Sequence, residues 1–262
     1  MSAKPNFRAL IAPVVLLSVA LPCAAEADQT TSRWETALAD TKPIFNARLR
    51  YEGVEQEGLP EDASALTYRF RAGFETGKIF DTALLVEFDH IDDLIDDFNS
   101  TINGKTGYPV VADPNATELN RFQLTNTSLP DTIITLGRQR IGLDDARFVG
   151  NVGWRQNEQT FDAFIGANES LPDTTITAGY LYNANRIFSD ASPNGNFPMQ
   201  SPILNVQYQG LAAGTLTAYG YLFDFTTADV NSTQNFGLRF AGGTDVSEDA
   251  RVLYTLEYAI QK

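Results

Sequence analysis

IFNARLRYE, residues 44–52, is the stretch that decides the fold. Phe45, Ala47, Leu49 and Tyr51 fall on one side of an extended chain, and Asn46, Arg48, Arg50 and Glu52 on the other. A period of two marks a strand with one apolar and one polar face. LTYRFRAGFE at 66–75 repeats the pattern, with Leu66, Tyr68, Phe70, Ala72 and Phe74 opposing Thr67, Arg69, Arg71, Gly73 and Glu75. Residues 80–89 set Phe80, Leu84, Val86 and Phe88 against Asp81, Glu87 and Asp89. Weaker alternation marks 118–127, 132–140, 159–167, 174–183 and 202–210. Clear alternation returns at 215–224, 235–242 and 249–259. Eleven strands are therefore expected. Their length suits a tilted strand crossing a bilayer, which needs about 9–11 residues. Strands of soluble sheets average nearer five or six.

The connections alternate in length. Long ones fall at 53–65, 90–117, 141–158, 184–201 and 225–234, and short ones at 76–79, 128–131, 168–173, 211–214 and 243–248. Outer-membrane barrels have short periplasmic turns and long outer loops. SLPDT occurs at 128–132 and again at 170–174, each time at a short turn, as repeated hairpins would place it. The expected class is all-β, an antiparallel transmembrane β-barrel. Eleven is odd, and the chain stops at Ala259-Ile260-Gln261-Lys262 without a terminal aromatic. Open edges in lipid leave backbone groups unpaired, so an incomplete, truncated part of a larger barrel is expected.

The N-terminus has the layout of a secretory signal. Lys4 and Arg8 precede an apolar run from Ala9 to Leu21, and Cys23, Ala24, Ala25 and Ala27 follow. Cleavage is expected after Ala25 or Ala27. Pro22 stands where a lipidation signal at Cys23 requires a small residue. The expected organisation is a signal peptide at 1–25, a periplasmic segment at 26–43 and a barrel at 44–262, in the outer membrane. Cleavage removes the one Cys of the chain and with it disulfide chemistry.

The chain carries Lys+Arg 19 against Asp+Glu 33, a formal charge of −14, which argues against nucleic acid as a partner. A mean hydropathy of −0.19 suits a barrel, in which alternate residues meet lipid. The expected partners are outer-membrane lipid and a small solute or anionic saccharide, with a monomeric barrel once complete. No cofactor is expected.

Arg48, Arg50, Arg69 and Arg71 share the polar face of two adjacent strands. Arg121, Arg239 and Arg251 join that face by parity. Two readings stay open. Rings of arginine select anions in pores, or these arginines pair with Glu52, Glu75, Asp81 and Glu87 and fill the lumen. Arg138 and Arg140 share parity with Ile134 and Leu136, the expected lipid face, and are further basic candidates. Either the strand bulges there, or it has risen past the apolar belt and their side chains reach headgroups or loop. Asp92, Asp93, Asp96, Asp97 and Asp113 form an acidic stretch. It is a weak candidate for calcium, and a solvated outer loop is the preferred reading. His90 is the one histidine, and no convergent catalytic constellation surrounds it, so an enzyme is not expected.

DDLIDDFNSTINGKTGYPVVADP at 92–114 and GRQRIGLDDARFVGNVGWRQNEQTFDAF at 137–164, with RLRYEGV at 48–54 and LTYRFRAGFETG at 66–77, resemble the alginate-export family of outer-membrane proteins. The resemblance is most specific at 137–163. It implies a monomeric barrel of about eighteen strands, of which this chain would be the N-terminal part. It also implies passage of an anionic polysaccharide through an arginine-lined lumen. The alternative is a general nutrient-uptake porin whose arginines serve only in structural pairs.

Overall fold

The computed structural model describes residues 33–262 and the backbone of Arg8–Ile11. That backbone forms a short strand, β1 (Arg8–Ile11), beside the end of β2 (Lys42–Glu55). The rest of the expected signal peptide and its cleavage points lie outside the described residues. Within the segment read as periplasmic, α1 (Arg33–Ala39) precedes β2. Ala37 is buried in α1, and its carbonyl accepts the Gly77 amide at 2.9 Å.

The strands that follow are β3 (Ala63–Glu75), β4 (Thr82–Asp97), β5 (Ala116–Asn126), β6 (Thr132–Gln139), β7 (Thr160–Leu171) and β8 (Thr174–Asn185). β9 (Asn196–Leu211), β10 (Gly214–Phe223), β11 (Thr233–Ser247) and β12 (Ala250–Gln261) complete the sheet. Each pairs antiparallel with its neighbours in sequence, in one meandering sheet. β2 to β12 match the eleven expected strands one for one. Among the described residues no pairing joins β12 back to the first strands, so the sheet is open.

Strand boundaries differ from the expected ones where pairing continues past the apolar band. β4 runs on to Asp97, which pairs with Ser64 of β3, so the long connection begins at 98 rather than 90. At its other end Phe80 and Asp81 leave the strand, with φ of 49° and 58°. A turn there needs left-handed backbone, which Asp tolerates better than most residues.

The two SLPDT turns are built alike. In each, the serine hydroxyl bonds an asparagine two residues earlier, Ser128 to Asn126 and Ser170 to Asn168. In each, the threonine hydroxyl donates to the proline carbonyl at 2.8 Å. Asp81, Asp131 and Asp173 are all left-handed, and their carbonyls accept the amides of Thr127, Glu169 and Gln209 in the next hairpin along. These bonds tie successive short turns into a continuous rim.

The two faces separate as the alternation requires. Phe45, Leu49, Phe70, Phe88, Phe122 and Leu124 are exposed on one face, as lipid-facing residues of a barrel are. On the other, Arg48, Thr67, Arg69, Arg71, Glu87 and Asp89 are buried although polar. What buries them is the 140–159 connection, which folds back over this inner face.

Candidate functional site

Burying charge is costly unless each group is paired and hydrogen-bonded, and here the pairs are made. Arg71 forks onto Asp89, with Nε–Oδ1 and Nη2–Oδ2 at 2.5 and 2.6 Å, and reaches Glu158 at 3.1 Å. Arg121 forks onto Glu87 at 2.8 and 2.6 Å. A β-bulge where β4 meets β5 turns Asn120 inward as well, and its amide donates to both Glu87 and Glu158 at 2.8 and 2.7 Å. Arg50 pairs with Glu52 and Asp113, and Arg155 reaches Glu52 at 3.1 Å. Burial pushes the Arg155 guanidinium below its ordinary range, while Asp113 and Glu52 act against that.

Gln156 is the centre of the seat. It is fully buried. Its side-chain amide donates to the Thr67 carbonyl and hydroxyl at 3.0 and 2.9 Å, and its side-chain oxygen accepts Arg48 Nε at 2.8 Å. Its backbone amide donates to Asp113 Oδ1 at 2.8 Å, and its backbone carbonyl accepts Arg69 Nη1 at 3.1 Å. Arg48 also donates to the carbonyls of Gly153 and Arg155. Arg48 and Arg69 thus hold backbone and amide groups of the loop rather than standing free in a channel. Trp154 lies under two guanidinium groups, with Arg155 4.0 Å and Arg50 5.2 Å from its ring centre.

The other half of the same loop crosses to β7–β12. Ile141 and Val149 are buried against Phe161, Ile165, Leu181, Met199 and Tyr219, with Leu143 and Phe148 packed on the same cluster. Burial of each such side chain contributes about 1.5–3 kcal/mol. Asp144 accepts from Asn205 at 2.9 Å and Tyr221 at 3.1 Å. Arg239 of β11 lies 3.7 Å from Asp145, and Arg147 lies 3.6 Å from Glu257 of β12. One connection therefore spans the inner face from β2 to β12, on charge pairs and hydrogen bonds over β2–β5 and on apolar packing with further polar contacts over β7–β12.

The remaining sequence candidates divide by position. Arg140 joins the inner cluster, at 3.0 Å from Glu87 and 2.5 Å from Glu158, because it follows the end of β6 where the loop turns inward. Arg138 stays in the strand opposite Phe122, and pairs with Asp162 at 2.8 Å and the Leu119 carbonyl at 3.0 Å. Arg251 faces Asp245 at 3.8 Å at the short-turn end, away from the cluster. Of the expected carboxylate partners Glu52 and Glu87 make pairs, whereas Asp81 lies in a turn.

Asp92, Asp93, Asp96 and Asp97 stand on the extension of β4 rather than in a loop. Asp96 pairs with Lys105 at 2.8 Å. Among the described residues no group of His, Cys, Asp and Glu is placed to hold a metal. Asp113, read as part of the same acidic stretch, is instead buried between Arg50 and Arg155. His90 shares the outward face with Phe88, and its Nδ1 lies 2.8 Å from the Thr117 hydroxyl.

The sheet matches solved structures of outer-membrane porins. OccAB1 of Acinetobacter baumannii is 14% identical, over 90% of this chain and 55% of that chain, with a TM-score of 0.66. OccAB3 of the same organism is 14% identical, over 86% and 58%, at 0.64. OpdL of Pseudomonas aeruginosa is 15% identical, over 86% and 56%, at 0.57. The fold is that of the outer-membrane β-barrel porins. This chain spans about half the length of the solved porins it matches. No family pattern and no curated protein matches it in sequence.

These neighbours correct two expectations. They are Occ and Opd porins, not alginate-export proteins, so the resemblance read from 92–163 does not hold. The passage of an anionic polysaccharide along an arginine-lined lumen, drawn from that resemblance, falls with it. The physical reason is in the pairing. Seven arginines, at 48, 50, 69, 71, 121, 140 and 155, meet five carboxylates, at 52, 87, 89, 113 and 158, and the loop backbone. Parity locates Arg48, Arg50, Arg69, Arg71 and Arg121 in the sequence. It does not locate the loop that neutralises them.

Proposed function

We propose that this chain forms wall and constriction of a passive nutrient-uptake porin of the outer membrane, with its lumen arginines serving as structural pairs. It is exported by an N-terminal signal cleaved after Ala25 or Ala27; the residues from there to 43 form a periplasmic segment, and 44–262 form part of the barrel with 140–159 turned into its lumen. The assembled barrel works as a monomer, carries no cofactor and performs no catalysis. Lipid meets the outer face, and small polar solutes pass along the inner one. The observation that carries the reading is the inward seat of 140–159, held by Gln156, Arg48, Arg69 and Arg71. A loop fixed across the lumen narrows a water-filled path without closing its chemistry to one charge class.

The test is solute influx into proteoliposomes holding a closed barrel that contains this chain, with small neutral, anionic and cationic solutes of matched size. Comparable entry of all three is expected, because the inner charges are largely balanced. Entry of anions alone, or of none of the three, would overturn the reading.

A further inference from the structure

Above the loop seat, on the long-connection side, the inner face changes character. A cavity of about 510 Å³ opens there, lined by Phe148, Phe161, Phe188, Phe197, Phe223 and Phe225. An apolar cavity of about 150 Å³ already accepts a benzene ring. The rings continue an aromatic file along β10 and beyond, in which Tyr219 and Tyr221 stack at 4.9 Å, Tyr221 and Phe223 at 6.1 Å, and Phe223 meets Phe225 at 6.3 Å. Phe197 meets Phe225 edge-on at 5.8 Å.

The lining also carries polar groups, from Gln159, Arg186, Asn194 and Asn231. Arg186 lies between two rings, 4.3 Å from Phe197 and 4.8 Å from Phe188. Its Nη1 donates to the Asn194 carbonyl at 3.2 Å, and among the described residues it makes no ion pair. Gln159 and Asn231 add amides to the wall. A concave site that sets apolar walls beside convergent polar groups can orient a small molecule. Flat aromatic walls favour a flat ring, through stacked and edge-on contacts that a puckered ring of equal size makes less well.

We infer that this cavity is a binding subsite for solutes carrying a planar aromatic ring with a polar substituent, the ring among the phenylalanines and the substituent toward Arg186 and the amides. The inference rests on the uptake reading, and adds a station on the solute's way to the loop constriction.

The probe is benzamide, with cyclohexanecarboxamide as its non-planar match. Both are neutral and carry the same amide. Equilibrium dialysis against the full chain in detergent, with empty micelles as the blank, measures retention. The expected result is benzamide held about fivefold more strongly than cyclohexanecarboxamide, with Phe188→Leu and Phe225→Leu each removing most of that preference. Both changes lie in connections, keep apolar volume and leave the strand pairing intact, and strand content by circular dichroism checks this. Equal retention of the two amides, or a preference untouched by either substitution in folded protein, would overturn the subsite. Solute influx separates the two ideas. Influx without ring preference ends the subsite alone, and ring preference without influx ends the uptake reading, leaving a ring-binding cavity on a barrel wall.

Discussion

Gln156 shows how one residue sets the position of a loop. Its side chain and backbone satisfy Thr67, Arg48, Arg69 and Asp113 at once. Replacing it with alanine removes the side-chain bonds to Thr67 and Arg48 and leaves a buried hydroxyl and guanidinium short of partners. Such a loss costs about 1–3 kcal/mol. Hydrogen–deuterium exchange of the 150–159 backbone in Gln156→Ala is expected to run about tenfold faster than in the unaltered protein. Unchanged exchange would mean that the loop is held elsewhere. The sequence offered no signal for this role. The Arg48–Gln156 contact joins residues 108 positions apart, and a lone glutamine in a polar loop has no periodicity to reveal it. The arginines were legible because they lie in strands, where parity assigns a face. Parity leaves Arg140 open because it stands just past the end of β6, where the alternation stops applying.

At the scale of the element, the strands were the legible part. The alternation at 44–52 and 66–75 corresponds to paired β2 and β3, with Arg48 opposite Arg69 and Asn46 opposite Arg71. Like charges directly opposite are unfavourable, and here the inserted loop compensates by taking bonds from both Arg48 and Arg69. Strand ends were less legible, because pairing of β4 with β3 continues beyond the apolar band to Asp97. β6 carries its own constraint. Gly137 has φ of +113°, and a Cβ there would lie 2.2 Å from the Phe122 carbonyl oxygen. Gly137→Ala is therefore expected to destabilise the β5–β6 pair by about 1–3 kcal/mol. A lowered urea midpoint for loss of strand signal, in the same liposomes as the unaltered protein, is the check. An unchanged midpoint would show that the strand absorbs the side chain.

For the whole molecule, the sheet has two inner halves of different chemistry, and a single connection crosses both. The polar half, on β2–β5, holds Arg155, Gln156 and Glu158. The apolar half, on β7–β10, holds Ile141, Phe148 and Val149. A long outer loop at 141–158 was the sequence expectation. The loop goes inward because it carries both the carboxylate and amide groups that the strand arginines need and an apolar run that the aromatic wall buries. If that seat sets the width of the path, loosening it widens the path. The direct measurement is influx of neutral sugars of rising size into proteoliposomes holding a closed barrel that contains this chain, comparing the unaltered protein with Gln156→Ala. The predicted result is entry of a pentose in both, with a trisaccharide excluded by the unaltered chain and admitted by Gln156→Ala. The same size limit in both proteins would contradict a constriction made by residues 140–159.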